Sequence, residues 1–85
     1  MRRRPLFEVS WSHQATGDME RLDHRSFERI ESAVDRLAIT GQGDVRRLQA
    51  ETTLRLRVGE WRVLFEQGDE TIFVLAVRPR GRAYR

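Results

Sequence analysis

The last third of this chain is rich in arginine, a side chain that binds phosphate groups. Between position 54 and the end of the chain there are seven, Arg55, Arg57, Arg62, Arg78, Arg80, Arg82 and Arg85. The first two alternate with apolar residues, as on one face of a strand, and the last ones form a basic cluster with Tyr84. A guanidinium is planar, donates bidentate hydrogen bonds to phosphate and stacks on bases. The pattern therefore predicts a surface that binds RNA.

The composition limits the kind of protein. The chain has 85 residues and a formal net charge of +3, and all 16 basic residues are arginine. A genome rich in arginine codons explains this bias as well as a functional demand does. Because there is no cysteine, we expect no disulfide, no thiolate metal site and a cytoplasmic location. No apolar run approaches the roughly 20 residues that span a bilayer. We expect one domain, residues 1–85, with a modest core and no cofactor.

The first half of the chain predicts a strand followed by a helical hairpin. Residues 6–11 alternate between apolar and polar types, which is the period of a half-buried strand. Ser12 and Asp23 are suitable helix N-caps, and Gly41 suits a helix C-terminus. The apolar stripes of the two helices contain Ala15, Met19 and Leu22, then Phe27, Ile30, Val34 and Leu37. These stripes predict two helices packed on one face of a sheet.

The second half predicts a loop and then three strands. Residues 41–53 lack periodicity and are expected to form a loop that carries Arg46 and Arg47. Residues 54–58 and 61–66 alternate on either side of a Gly59-Glu60 turn, and residues 71–77 form an apolar run typical of a central strand covered on both faces. Pro79 should end that strand. The predicted fold is α+β, in the order βααβββ, with a mostly antiparallel sheet that is partly open on one face.

This order of elements and the residues on it resemble the RelE/ParE superfamily of bacterial type II toxins. The resemblance is carried by Trp11-Ser12 at the entry to the first helix, by Ala15 and Leu22, by the segment LRLRVGEWRV at 54–63, and by Val77, Arg80, Tyr84 and Arg85 in the tail. It implies a toxin with a co-encoded antitoxin, assembled as a hetero-oligomer. The RelE branch cleaves mRNA on the ribosome, whereas the ParE branch inhibits DNA gyrase and has no nuclease residues. Fold alone does not choose between them.

The resemblance also implies roles for individual residues in mRNA cleavage by attack of the 2′-OH on the adjacent phosphate. Arg62 would hold the scissile phosphate, Arg80 would stabilise or protonate the leaving side, and Tyr84 would orient the base or assist proton transfer. The residues that we assign to RNA binding are Arg55, Arg57, Arg46, Arg47 and Arg82. Pro79 stands where relatives often have histidine. Because guanidinium, with a pKa above about 12, is a poor base, the rate must depend largely on the ribosome.

Simpler interpretations of the same residues remain open. Each arginine taken singly is compatible with an ordinary solvent-facing position, and Arg62 could pair with Glu66. A gyrase inhibitor and a non-catalytic RNA-binding module are alternative functions. We expect the two histidines, His13 and His24, at the starts of the helices, without a bound metal. Trp11 and Trp61 are expected in the core. The carboxylates expected on solvated helix faces are Asp18, Glu20, Glu28 and Glu31.

Overall fold

The described part of the chain folds as a five-stranded sheet with two helices against one face. The computed structural model describes residues 5–47 and 52–82. The elements are β1 (Glu8–Trp11), α1 (His13–Glu20), α2 (His24–Thr40), β2 (Val45–Arg47), β3 (Leu54–Val58), β4 (Trp61–Gln67), β5 (Thr71–Pro79) and a terminal 3₁₀ helix (Arg80–Arg82). The strand order is β1-β5-β4-β3-β2, with β1 parallel to β5 and the other pairs antiparallel. The predicted α+β class is confirmed.

The helix ends form as the local sequence dictates. The Ser12 hydroxyl accepts a hydrogen bond from the Ala15 N–H at 2.9 Å, and the Asp23 carboxylate accepts one from the Ser26 N–H at 3.2 Å. Each bond satisfies a backbone donor that has no partner within its helix. Gly41 ends α2 with φ of 75°, in the left-handed region that glycine adopts without strain.

Strand β2 corrects the prediction of a continuous loop over residues 41–53. Val45–Arg47 pairs antiparallel with β3, and Arg46 lies opposite Arg55. The three residues have no apolar alternation, so nothing local predicts a strand. The strand exists because β3 offers an unpaired edge, which is a non-local cause.

The core lies between the helices and one face of the sheet. From the helices it includes Ile30 and Val34, and from the sheet Leu56, Phe65 and Val74, all at most 2% exposed. These strand residues alternate with side chains that point to the opposite face, which we call the open face. Along β3 and β4 this alternation is the predicted one.

Strand β5 departs from the expectation that it would be covered on both faces. Phe73 is 39% exposed on the open face, between Ile72 and Val74 in the core. An irregularity in the pairing with β4 sets Leu64 opposite Ala76 and Phe65 opposite Val74, so that Leu75 is an extra residue. The extra residue lets both Val74 and Val77 reach the core and places Arg78 opposite Arg62. The strand ends at Pro79, as predicted.

Helix α1 completes the edge of β5 where β1 stops. The last pair of the parallel ladder is Trp11 with Val74. Beyond it, the Ser12 hydroxyl donates to the Leu75 carbonyl at 2.7 Å, and the Val77 N–H donates to the Asp18 carboxylate at 2.9 Å. Side chains thus replace the missing neighbour strand. No helix in the described part of the chain is long and apolar enough to cross a membrane.

Candidate functional site

Four arginines from three adjacent strands line one pocket of about 270 Å³ on the open face. They are Arg46 from β2, Arg55 and Arg57 from β3, and Arg62 from β4, and we call this site the arginine pocket. The strand register explains their proximity, because Arg46 lies opposite Arg55, and Arg57 lies opposite Arg62. Directly opposed residues share a face of the sheet. The structure therefore brings together four of the arginines that the sequence assigns to phosphate or RNA.

Arg62 is held in place by the turn that precedes it. Its side chain is buried, and Nη1 donates hydrogen bonds to the carbonyls of Gly59 and Trp61, both at 2.8 Å. These bonds take the place of the Glu66 ion pair that the sequence left open. A guanidinium has five N–H groups, so three more are carried on Nε and Nη2. Arg62 is thus a cation of fixed orientation in the pocket wall.

The other three arginines differ in exposure. Arg55 is buried, at 8%, rather than solvent-facing, whereas Arg57 and Arg46 are exposed. Arg46 has a carboxylate beside it, Asp44, at 3.8 Å, and both side chains of this pair are largely exposed. Such an exposed ion pair contributes little to the stability of the fold. Like charges directly opposed across strands are destabilising, so the arginine pocket is an arrangement that an anion would stabilise.

Arg80 lies at the same end of the sheet as Arg62. It is exposed at the start of the 3₁₀ helix, and its N–H donates to the Glu60 carbonyl at 2.8 Å. Arg62 pairs with Arg78, and Arg80 follows two residues later, about 7 Å further along the chain. One turn, Gly59-Glu60, therefore anchors both the Arg62 side chain and the Arg80 backbone.

Arg47, a further predicted site residue, does not join the arginine pocket. Arg47 lies opposite Leu54, on the face of the sheet that carries the core, because successive residues of a strand point to opposite faces. Arg82 belongs to the 3₁₀ helix, and its side chain lies outside the description. Tyr84 lies outside the described residues, so its role stays a prediction.

Asp18 is an important residue that the sequence interpretation missed. It was expected on a solvated helix face, but its side chain is only 4% exposed. Its carboxylate accepts four hydrogen bonds, from Gln14 Nε2 at 2.9 Å, Arg21 Nη2 at 2.7 Å, Val77 N–H at 2.9 Å and Arg78 Nη1 at 2.9 Å. The signal was present, because Asp18 lies three residues after Ala15 and four before Leu22, on the buried stripe of α1.

His24 and the two tryptophans lie where the sequence predicted them. His24 pairs with Glu28 at 2.7 Å on the surface of α2, and both side chains are largely exposed. Trp11 and Trp61 are partly buried against the core. Within residues 5–47 and 52–82, no three or more side chains of the metal-binding types are grouped to hold an ion.

Comparisons with known proteins agree with this architecture. The family model described as the ParE toxin of the type II toxin-antitoxin system, parDE, matches residues 9–84. A search of curated proteins found no match. Among solved structures, RelE in the archaeal RelE–RelB complex from Pyrococcus horikoshii OT3 is 25% identical, with a TM-score of 0.76 over 92% of this chain and 99% of that one.

Two more distant structures share the fold. A chain of the chromosomal ParDE system from P. aeruginosa is 17% identical, with a TM-score of 0.71 over 87% of this chain and 96% of that one. A chain of the E. coli DinJ–YafQ toxin–antitoxin complex is 11% identical, with a TM-score of 0.72 over 94% of this chain and 99% of that one. Together with the family match, they show that this chain belongs to the RelE/ParE superfamily of type II toxins, in the family described by the ParE toxin model.

Proposed function

We propose that this toxin is a ribosome-dependent endoribonuclease that cleaves mRNA and so inhibits translation. The observation that carries the proposal is the arginine pocket, in which four guanidinium groups converge on one face of the sheet. RNA carries one negative charge per phosphate, and clustered arginines bind phosphate through charge-assisted, bidentate hydrogen bonds. Members of the RelE branch, which this chain resembles, have this activity.

The chemistry needs no metal and no cofactor. The 2′-oxygen attacks the adjacent phosphorus, the bond from phosphorus to the 5′-oxygen breaks, and the products carry a 2′,3′-cyclic phosphate and a 5′-hydroxyl. Arg62 holds the scissile phosphate, while Arg55 and Arg57 neutralise the charge that develops on its oxygens. Arg80 stabilises the departing 5′-oxygen, and Tyr84 orients the base or assists proton transfer. The proton of the attacking hydroxyl is ultimately transferred to the leaving oxygen.

The make-up of the arginine pocket explains why the ribosome is part of the proposal. The four side chains that line it within the described structure are all arginine, and a guanidinium does not act as a base near neutral pH. A site of this kind supplies charge stabilisation but little proton transfer. Holding the mRNA in line for attack can supply several kcal/mol of the barrier, roughly 7 to 11 at most. We assign that contribution to the ribosome.

The partner that controls the toxin is its cognate antitoxin. Solved relatives include toxins in complex with RelB and DinJ. An acidic antitoxin segment placed over the arginine pocket would neutralise the same charges that bind RNA, so inhibition and substrate binding would compete for one surface.

Induction of the toxin in a bacterium, followed by mapping of mRNA 5′ ends, tests the proposal. Cuts within translated codons are expected, and co-expression of the antitoxin should suppress them. Arg80→Ala should reduce cleavage on the order of 10² to 10³-fold, the scale of losing one transition-state donor. Arg36→Ala removes an exposed arginine from α2 and should leave cleavage unchanged. Intact transcripts after induction would refute the proposal.

A gyrase inhibitor is the second candidate, and the match to the ParE toxin model favours it. In that case the toxin acts by surface recognition, with no chemistry of its own. Induction would then cause loss of supercoiling and a DNA-damage response while mRNA stays intact. A non-catalytic RNA-binding module would show neither effect, only RNA binding that weakens with salt.

A further inference from the structure

A pocket lined by both helices and by the end of β1 lies on the side of the sheet that carries the core. Its volume is about 290 Å³. Among the described residues its lining includes Trp11, Thr16, Met19, Glu20, Phe27 and Glu31, and we call it the hairpin pocket. None of these residues lines the arginine pocket, so the hairpin pocket has no part in the proposed chemistry.

Each helix contributes an apolar side chain and a carboxylate to the hairpin pocket. On α1, Met19 and Glu20 follow Thr16 by three and four positions, so the three residues share one side of the helix. On α2, Phe27 and Glu31 are four positions apart and also share a side. The two carboxylates therefore flank a single cavity from different helices.

The hairpin pocket has an apolar floor and an acidic rim. Met19 is 5% exposed, and Trp11 and Phe27 are partly buried against the core. Glu20 and Glu31 are exposed, and within residues 5–47 and 52–82 neither forms an ion pair, although other carboxylates do. The chain has 16 arginines, but none of those in the described ranges lines this pocket. The negative charge of the rim is thus not neutralised within the described structure.

These surroundings select the class of ligand. Two carboxylates repel an anion. A hard metal ion such as Mg²⁺ needs a shell of oxygen ligands, whereas the floor of this pocket consists of aromatic rings and a thioether. An organic ammonium ion suits both parts of the pocket, because its charge is attracted to carboxylates and to the faces of aromatic rings. Its methylene groups are stabilised by burial on the apolar floor.

The shape of the surface favours a linear cation. A neighbouring cavity of about 500 Å³ shares Met19, Glu20 and Phe27 with the hairpin pocket and extends to Leu22 and His24. The two cavities together form a groove along the helical hairpin rather than a closed cage. An aliphatic diamine has a charge at each end and an apolar chain between the charges, which matches carboxylates on two helices.

We propose that the hairpin pocket binds a free linear aliphatic diamine or polyamine. Its ammonium groups lie at Glu20 and Glu31, and its carbon chain lies on Trp11, Met19 and Phe27. Because a ligand that binds only the folded state stabilises it by mass action, the amine raises the stability of the toxin. This site lies on the face of the sheet opposite the arginine pocket, and it does not depend on the proposed nuclease activity.

Fluorescence titration of the purified toxin tests amine binding directly. The chain has two tryptophans, so a Trp61→Phe background leaves Trp11, in the wall of the pocket, as the reporter. Putrescine, an aliphatic diamine, should change Trp11 fluorescence in a saturable way. Butylamine should bind about two- to five-fold more weakly, because it forms one exposed ion pair fewer. Butanediol, which has the same carbon chain without charge, and magnesium chloride should cause no saturable change. No response to putrescine, or an equal response to butanediol or magnesium chloride, would overturn the proposal.

Substitutions at the rim locate the site. Glu20→Gln and Glu31→Gln should each weaken putrescine binding about two- to five-fold. Glu28→Gln makes the same change on α2 but outside the lining of the pocket, where Glu28 pairs with His24, and it should leave the affinity unchanged. An equal loss in Glu28→Gln would show diffuse attraction to an acidic surface and would refute the hairpin pocket.

Urea unfolding followed by circular dichroism gives a second measurement, which does not depend on Trp11. Saturating putrescine should raise the urea midpoint of the wild type but not that of the double variant Glu20→Gln/Glu31→Gln. Both glutamates are exposed, so the double variant should fold. An equal rise in the two proteins would rule out binding at the hairpin pocket.

Discussion

Asp18→Asn tests the most consequential buried contact in the fold. Asparagine keeps one acceptor oxygen. Its second position is an NH₂ group, which donates hydrogen bonds and cannot accept those that the second carboxylate oxygen of Asp18 accepts. If the amide faces β5, the buried Val77 N–H loses its acceptor, which costs about 1 to 3 kcal/mol. The ion pair with Arg78 is lost as well, and since Arg78 is 36% exposed we add only about 1 kcal/mol for it.

The expected loss is therefore about 2 to 4 kcal/mol in the free energy of unfolding. The free energy of unfolding of a protein of this length is roughly 4 to 13 kcal/mol. Asp18→Asn should therefore lose a large part of its stability, and it stays folded without denaturant when the wild-type value exceeds about 4 kcal/mol. Urea unfolding measures the change as a lower midpoint, by about 1 M or more. Asp18→Ala, which removes every acceptor, should lose about 3 to 5 kcal/mol.

Asp35→Asn is the matched control, because it makes the same chemical change at an exposed position of α2. It should shift stability by no more than about 0.5 kcal/mol. A double-mutant cycle between Asp18→Asn and Arg78→Gln should give a coupling energy of at least about 0.5 kcal/mol. A loss in Asp18→Asn below about 1 kcal/mol, or no coupling to Arg78, would refute the view that this carboxylate joins α1 to β5.

Three further predictions follow from single positions. Gly59→Ala should cost about 1 to 2 kcal/mol in urea unfolding, because φ is 58°, a left-handed conformation that strains alanine. The Arg29 guanidinium, whose Nη2 would lie 2.8 Å from the added Cβ, ends a flexible side chain and moves aside at little cost; a neutral effect of the substitution would contradict the backbone strain. Hydrogen bonds from the Ser26 side chain and backbone lower the pKa of Asp23 below its ordinary 3.8. The ionised carboxylate therefore stabilises the folded state fully at pH values above the ordinary pKa. This stabilisation is lost as the pH falls through the lower pKa of the folded state. The difference in urea midpoint between wild type and Asp23→Asn should change over that range, and a constant difference from pH 2 to 6 would argue against it. Arg57→Ala should reduce the slope of log affinity for single-stranded RNA against log salt by about 0.7, and an unchanged slope would exclude Arg57 from phosphate contact.

Local rules predicted the elements that depend on local interactions. The caps at Ser12 and Asp23 and the left-handed residue Gly41 each act within a few residues of themselves, so the helix boundaries could be inferred from the sequence. The alternation in residues 54–58 and 61–66 likewise assigned the correct face to each arginine on β3 and β4. The arginine pocket was predictable to this extent.

What the sequence missed depends on contacts between distant segments. Val45–Arg47 forms a strand only because β3 has a free edge. In that strand Arg46 points to the open face, opposite Arg55, and Arg47 points to the face that carries the core, opposite Leu54. The extra residue in β5 shifted its register against β4 and placed Arg78 opposite Arg62. No local pattern contains that information, since a pairing register is set by packing of the whole sheet.

The amino-acid sequence was enough to predict helices α1 and α2, strands β1, β3, β4 and β5, the family resemblance and the arginine-rich face, because these follow from residue types repeating at fixed intervals. Only the folded structure shows which distant groups Asp18 binds, Val77 and Arg78, and that Arg62 is held on the carbonyls of Gly59 and Trp61. Burial and hydrogen-bond partners arise when segments far apart in the chain meet. The side chain of Asp18 bonds to Val77, which is 59 positions away, and no reading of neighbouring residues reveals that contact.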